Sequence, residues 1–402
     1  MKEISARRNT FLPLTSPQIG EEEIEEVVRC LRSGWLATGP RSSEFESAIC
    51  DLLGSEYAVA LSSCTAALHL SMLALGIGES GNREDEVITT PISWPATSNM
   101  IWHSGARPIF ADIDPDTLNL DIEQVEQKIS KRTKAIIPVH MAGQPCDMDE
   151  LIQISLKHGI PIIEDSAHAL GADYKGEMIG GKGRNCCFSF HATKNITCGE
   201  GGMFTTSDSR YADRVRILSQ HGVVNDSWRR YCTGELHWRL VEPGLKYGMP
   251  DILASIGIHQ LRRLPHCIEV RRKLAAVYDH KLKGIKGVEP LIQRDDRKSA
   301  YNLYIVRMDC DALGITRDEM ILALRKNNIG SGVHFQSTHL QPFYQGTLGM
   351  SPDSLPIARK LSEQIISLPL SSSMTQDDVD DVIYALTQII SENMSSGADV
   401  RR

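Results

Sequence analysis

Residues 86–112 read EVITTPISWPATSNMIWHSGARPIFAD, and the fold turns on how they are read. Glu86–Thr90 is a β-rich apolar run, Ala96–His103 reads as a helix, and Pro108–Asp112 is a second β-rich run. Short β-rich runs alternating with helices predict βαβ units and a mostly parallel sheet. The same alternation continues on both sides. Upstream, Tyr57–Leu61 reads as a buried strand, followed by a helix through Ala66, Leu70 and Leu73. Downstream, Asp121 caps a helix to Ile129, Ala135–Val139 is a strand, Met148–Lys157 a helix, Pro161–Glu164 a strand and Cys187–His191 another.

Further out, Gly20–Arg32 carries glutamates early and arginines late, the order that suits a helix dipole, and Ser33-Gly34 stops it. Gly199–Gly202 reads as a tight turn into a strand, Met203–Thr206. A long helix through Arg262–Leu282 leads into a second unit with a strand at Asn302–Met308 and helices at Arg317–Lys326 and Asp377–Ser391. The expected organisation is a large α/β domain over 1–260, N-terminal segment included, and a smaller C-terminal α+β domain over 261–402.

Composition narrows the function. A 41% hydrophobic and 23% charged chain of 402 residues has apolar material for a sizeable core without metal or disulfide staples. The net charge of −8 and the lack of a basic run argue against a nucleic-acid partner, although a local pocket can still bind an anion. Met1–Leu14 does not read as a signal peptide and no apolar run is long enough to span a bilayer, so the expected compartment is the cytoplasm, with no membrane partner. The ten cysteines are scattered without a C-x-x-C, so buried free thiols are expected and no metal site.

Four strand-to-helix ends carry groups with chemical potential. Ser62-Ser63-Cys64-Thr65-Ala66 offers backbone N–H groups and hydroxyls that can cradle an anion, or simply cap a helix. Trp94 can lie over a flat cofactor or fill a core. Ile162–His168 places Asp165 at a strand's carboxyl end, where it can hold a protonated ring nitrogen or cap a helix. Lys194 follows Phe188–Thr193 closely. Desolvation there would lower its pKa and make the amine nucleophilic, whereas the common fate of a lysine is a solvated loop. Together the four match a phosphate, a ring face, a ring nitrogen and an aldehyde, the groups that pyridoxal 5'-phosphate (PLP) presents.

These residues resemble the DegT-type PLP-dependent nucleotide-sugar aminotransferases, of the aspartate-aminotransferase fold (fold type I). The likeness rests on Ser33–Pro40, Ser62–Ala66, Pro138–Gly143, Ile163–His168 and, most specifically, Ser189–Ile196 with Gly199–Gly202 behind it. Lys134–His140 and Asn195–Cys198 favour the branch of UDP-4-amino-4-deoxy-L-arabinose–oxoglutarate aminotransferases. The resemblance implies that Lys194 holds PLP covalently, Asp165 pairs with the ring nitrogen, and Trp94 stacks on the ring with His168 nearby. It further implies that Thr65, the Ala66 N–H and Ser189 hold the phosphate, and that Thr38, Gly39, His334 and Phe335 lie near the sugar nucleotide. It implies a homodimer with shared sites, glutamate as donor and a nucleotide-linked 4-keto sugar as acceptor. Amination at C3, a dehydratase and a sensor that has lost catalysis are the alternatives; a dehydratase of this fold typically has histidine in place of Lys194. A dinucleotide-dependent oxidoreductase would need G-x-G-x-x-G where the chain has Ser62-Ser63-Cys64-Thr65. Two departures stand out. Gly248 replaces an asparagine that in the family reaches the partner's cofactor phosphate, and Gly78–Glu84 is long enough to form a surface loop.

Overall fold

The computed structural model describes residues 8–224 and 227–399. Residues 1–7 of the stretch read above for a leader lie outside the described residues.

The large unit is built on seven strands: β1 (Tyr57–Leu61), β2 (Glu86–Thr89), β3 (Arg107–Phe110), β4 (Thr133–Ile137), β5 (Glu164–Asp165), β6 (Cys186–Ser189) and β7 (Gly202–Thr206). Two ladders, β3-β2-β4 and β5-β6-β7-β1, join through parallel bridges at Ile136–Ile162 and Val139–Asp165. Only β7 runs antiparallel to its neighbours, so the sheet is mostly parallel as expected. Side chains alternate across it with the period of two that a strand imposes. Ile88, Ile136, Phe188 and Met203 enter one core, while Val87, Ile137, Cys187 and Phe204 enter the other. Both faces are therefore covered, which is why these strands read as continuous apolar runs.

Helices α1 (Glu21–Ser33) and α2 (Pro40–Leu53) both pack on α8 (Asp251–Leu282). On the other face lie α3 (Cys64–Ala74), α4 (Ala96–His103) and α7 (Ser209–Ser219); α5 (Ile122–Gln127) and α6 (Met148–His158) complete the alternation. The 32-residue α8 begins eleven residues before the Arg262 start read from sequence, and residue 260 falls inside it. Its Ala254, Ile258, Leu261 and Leu264 belong to the sheet core, whereas Leu274, Ala275, Tyr278 and Leu282 belong to a separate C-terminal core. That second core rests on β8 (Val288–Pro290), β9 (Tyr304–Met308) and β10 (Ile365–Leu368), with α9 (Arg317–Lys326) and α10 (Gln376–Asp399). Leu12 packs there too and bridges to Ile329, so the N-terminal segment reaches the C-terminal unit.

Buried free thiols are borne out: seven of the ten cysteines are buried and all are unpaired. In the Gly78–Glu84 stretch, Glu79–Asn82 and Glu84 are exposed. No helix among the described residues is long and apolar enough to cross a membrane.

Candidate active site

The carboxyl ends of the parallel strands open onto a cavity of about 490 Å³. Thr65, Trp94, Asp165, His168, Ser189, Lys194, His334 and Phe335 all line it.

Thr65, Trp94, Asp165, His168, Ser189 and Lys194 sit at or beyond the ends of β1, β2, β5 and β6, whereas His334 and Phe335 come from the C-terminal unit. After β1 the chain turns into α3, whose cap is Ser63; its Oγ accepts from the Ala66 N–H at 3.0 Å. That N–H, expected to hold phosphate, is thus already engaged, and Ala66 itself is buried outside the cavity lining. The start of β7 presses on this turn. A Cβ at Gly202 would come 2.2 Å from the Ser63 carbonyl carbon and 2.4 Å from the Cys64 nitrogen, so only glycine lets the strand pass beneath the helix N-terminus.

Asp165 ends β5 and is buried. Its Oδ2 accepts from the Thr97 hydroxyl at 2.7 Å and its Oδ1 from the Ala167 N–H at 3.1 Å. Burial raises its pKa, and Thr97, Ala167 and the Lys194 charge only partly offset this. A cation brought against it would pull the value down again. Neighbouring Glu164 is buried in a pair with Arg184 (3.2 Å) and a hydrogen bond with His140 (2.8 Å). Burial pushes its pKa up, but His140 and Arg184 prevail and hold it low.

Desolvation lowers the pKa of Lys194, against the pull of Cys64 and Asp165. Burial keeps the Cys64 thiol well above its ordinary range, so it stays neutral and donates to the Cys187 carbonyl at 3.3 Å. His168 is held neutral first by burial, then by Lys194 and His334; its Nδ1 is buried without a hydrogen-bond partner. Its ring stacks at 5.9 Å and 15° on Phe335. His334 is pushed down to about 4, chiefly by burial, and its Nδ1 lies 2.9 Å from the Ser367 hydroxyl. Trp94, 66% exposed, turns its ring toward Phe335 at 6.2 Å rather than filling a core.

Thr38 and Gly39 are not brought into this cavity. Thr38 donates to the Met249 carbonyl at 2.9 Å, and a Cβ on Gly39 would strike the Trp35 ring. Gly248 lies in the same region. A Cβ there would meet Gln220 Nε2 at 2.0 Å, so the Gln220 side chain occupies the space of the missing side chain, and it also takes the Lys246 ammonium at 2.5 Å. Sequence reading missed Thr97, Asn302, His191 and Glu200, all of which line the cavity. Thr97 was findable, since it sits in the first turn after a strand end; Asn302 comes from far along the chain with no local mark.

The residues at 17–387 match the model of the DegT/DnrJ/EryC1/StrS aminotransferase family. The chain belongs to this family. It is 44% identical over 386 residues to the spore coat polysaccharide biosynthesis protein SpsC of Bacillus subtilis, covering 96% of this chain and 98% of that one. It is 43% identical over 388 residues to UDP-4-amino-4-deoxy-L-arabinose–oxoglutarate aminotransferase of Shewanella sediminis, covering 95% and 99%. Among solved structures, the sugar aminotransferase Spr1654 from Streptococcus pneumoniae in its PMP form superposes with a TM-score of 0.88 at 34% identity, covering 96% of this chain and 100% of that one. Its PLP form gives 0.86. The DegT-family chain is therefore a PLP-dependent sugar aminotransferase of fold type I.

The residues present fit that cofactor. Buried Asp165, desolvated Lys194, Thr65, Ser189 and His168 line one cavity, and His168 carries a buried ring nitrogen without a hydrogen-bond partner.

Proposed function

We propose that the enzyme moves the amino group of L-glutamate to a nucleotide-linked 4-keto sugar, giving a 4-amino sugar nucleotide. The 43% identity to a UDP-4-amino-4-deoxy-L-arabinose–oxoglutarate aminotransferase supports the 4-keto acceptor. The observation that carries the chemistry is a desolvated Lys194 in one cavity with a buried Asp165.

PLP, when bound, supplies an aldehyde for the amine and a ring that takes up the electron pair released at the donor's α-carbon. Lys194 would hold the cofactor and then move the proton at that carbon, first as base and later as acid. Its lowered pKa leaves a larger share of neutral amine for this. Asp165, fixed by Thr97 and Ala167, would hold the ring nitrogen in its protonated form. Trp94 and His168 would flank the ring, and Thr65, Ser189 and the α3 N-terminus would take the phosphate. His334 and Phe335 border the sugar's side of the cavity in this reading. Thr38 and Gly39, outside their own cavity, would serve the partner's site in a homodimer.

Incubation with PLP, glutamate and a panel of keto-sugar nucleotides, read by product mass, tests the reading. A UDP-4-keto-pentose or dTDP-4-keto-6-deoxyhexose should gain one amino group, and Lys194→Ala should lose turnover by at least about 10²–10⁴-fold. Turnover of 3-keto sugars alone, or an unimpaired Lys194→Ala, overturns it.

A further inference from the structure

The cavity mouth beside Lys194 holds a donor and an acceptor that leave a gap between them. His191 follows β6 and Glu200 precedes β7; both line the cavity, and both side chains are exposed, at 47% and 65%. His191 is held in place locally. Its Nδ1 accepts from the Thr193 N–H at 3.3 Å and lies 2.9 Å from the Thr193 hydroxyl. A backbone N–H can only donate, so Nδ1 is the unprotonated nitrogen and Nε2 carries the hydrogen. That Nε2 lies 3.8 Å from Glu200 Oε1, beyond hydrogen-bonding distance. A bridge between His191 and Gly199 fixes the two segments against each other. The Lys194 N–H donates to the His191 carbonyl at 3.0 Å, which ties the pair to the reacting lysine.

A donor beside an acceptor, each free of the other, matches a group that accepts one hydrogen bond and donates one. A hydroxyl does both. A carboxylate cannot donate, and Glu200 repels it. We propose that His191 and Glu200 bind a hydroxyl of the acceptor sugar, the hydroxyl accepting from His191 Nε2 and donating to Glu200. The pair thereby distinguishes the two substrates that share one cavity: it grips the sugar and contributes nothing to the amino-acid donor. This rests on the aminotransferase reading above.

The two half-reactions separate the claims. Glutamate converts the PLP form to the pyridoxamine form, which is followed by absorbance; the keto sugar converts it back. In Glu200→Ala, a change at an exposed side chain that removes the acceptor, the glutamate half-reaction should keep its rate within about twofold. The KM for a UDP-4-keto-pentose should rise about ten- to a hundredfold, the range for a lost hydrogen bond to a charged group. Glu200→Asp should recover part of the loss. Inhibition by UDP alone should be unchanged. A weakened UDP would assign the pair to the ribose hydroxyls and overturn the proposal, as would a sugar half-reaction untouched by Glu200→Ala. Failure of the parent enzyme to react with glutamate at all would instead overturn glutamate as the amino donor.

Discussion

At the scale of single residues, burial decides protonation. His334 and His168 both have pKa values pushed below the ordinary imidazole range by desolvation, and the nearby Lys194 charge adds to the shift. The consequence is a pH-dependent stability of definite sign. In the unfolded chain His334 takes a proton near pH 6.5, while in the folded protein it resists until about pH 4. Stability is thus fully present above 6.5 and is lost as pH falls toward 4. For His334 alone this is worth up to about 3 kcal/mol by pH 4, at 1.36 kcal/mol per pKa unit. His334→Asn keeps an acceptor for the Ser367 hydroxyl but has no imidazole to protonate. Urea unfolding of the PLP-free protein at pH 7 and pH 4.5 should show a smaller drop in the variant than in the parent. Equal drops would mean that His334 is not held neutral.

At the scale of elements, the strand ends were the most legible part of the site, because residue type and position both speak there. Asp165 at the end of a strand and Lys194 just past one announce themselves. Elements whose signal was weak or mixed were harder. Helix α2 went unread although Ser42, Phe45, Ile49 and Leu53 bury one face, because serines and charges break up its apolar stripe. The first turns of α8 were hidden by Pro250 and Gly257, residues that discourage a helix but are tolerated at its start and at a close contact. Strands β8 and β10 span three and four residues, and β8 ends in a proline; their pairing with β9, not their own propensity, makes them strands. The same dependence on contact predicts an effect at Gly202. Gly202→Ala drives a Cβ into the backbone of Ser63 and Cys64, which cannot yield as a flexible side chain would. The expected cost is about 1–3 kcal/mol from overpacking, together with a weaker hold on PLP, since the α3 N-terminus must move. Thermal unfolding and PLP titration measure the two; a change that left both untouched would show that α3 does not depend on this contact.

At the scale of the whole molecule, the stretch from Trp228 to Val241 is notable for its exposed apolar side chains. Trp35, Trp228 and Tyr231 cluster with ring centroids 4.9–5.8 Å apart. Tyr231, Leu236, Trp238, Leu240 and Val241 are between 46% and 83% exposed. Monomeric proteins rarely leave large contiguous apolar patches in water. Thr38 and Gly39 adjoin the Trp35 ring, away from their own cavity, and Gly248 lies beside them. The homodimer proposed above would resolve both facts: a second copy would cover these side chains, and Thr38 and Gly39 would serve its cavity rather than their own. The enzyme should then run in solution at about twice the 44.6 kDa of one chain. Trp238→Glu with Leu240→Glu changes two side chains that are 59% and 58% exposed, so the fold itself has little to lose. Burying two carboxylates in the interface would cost several kcal/mol, so the variant should sediment as a folded monomer and lose turnover together with the dimer. A variant that stayed dimeric would place the interface elsewhere. A parent enzyme fully active as a monomer would remove the need for a shared site, and with it the reason for Thr38 and Gly39 to lie where they do.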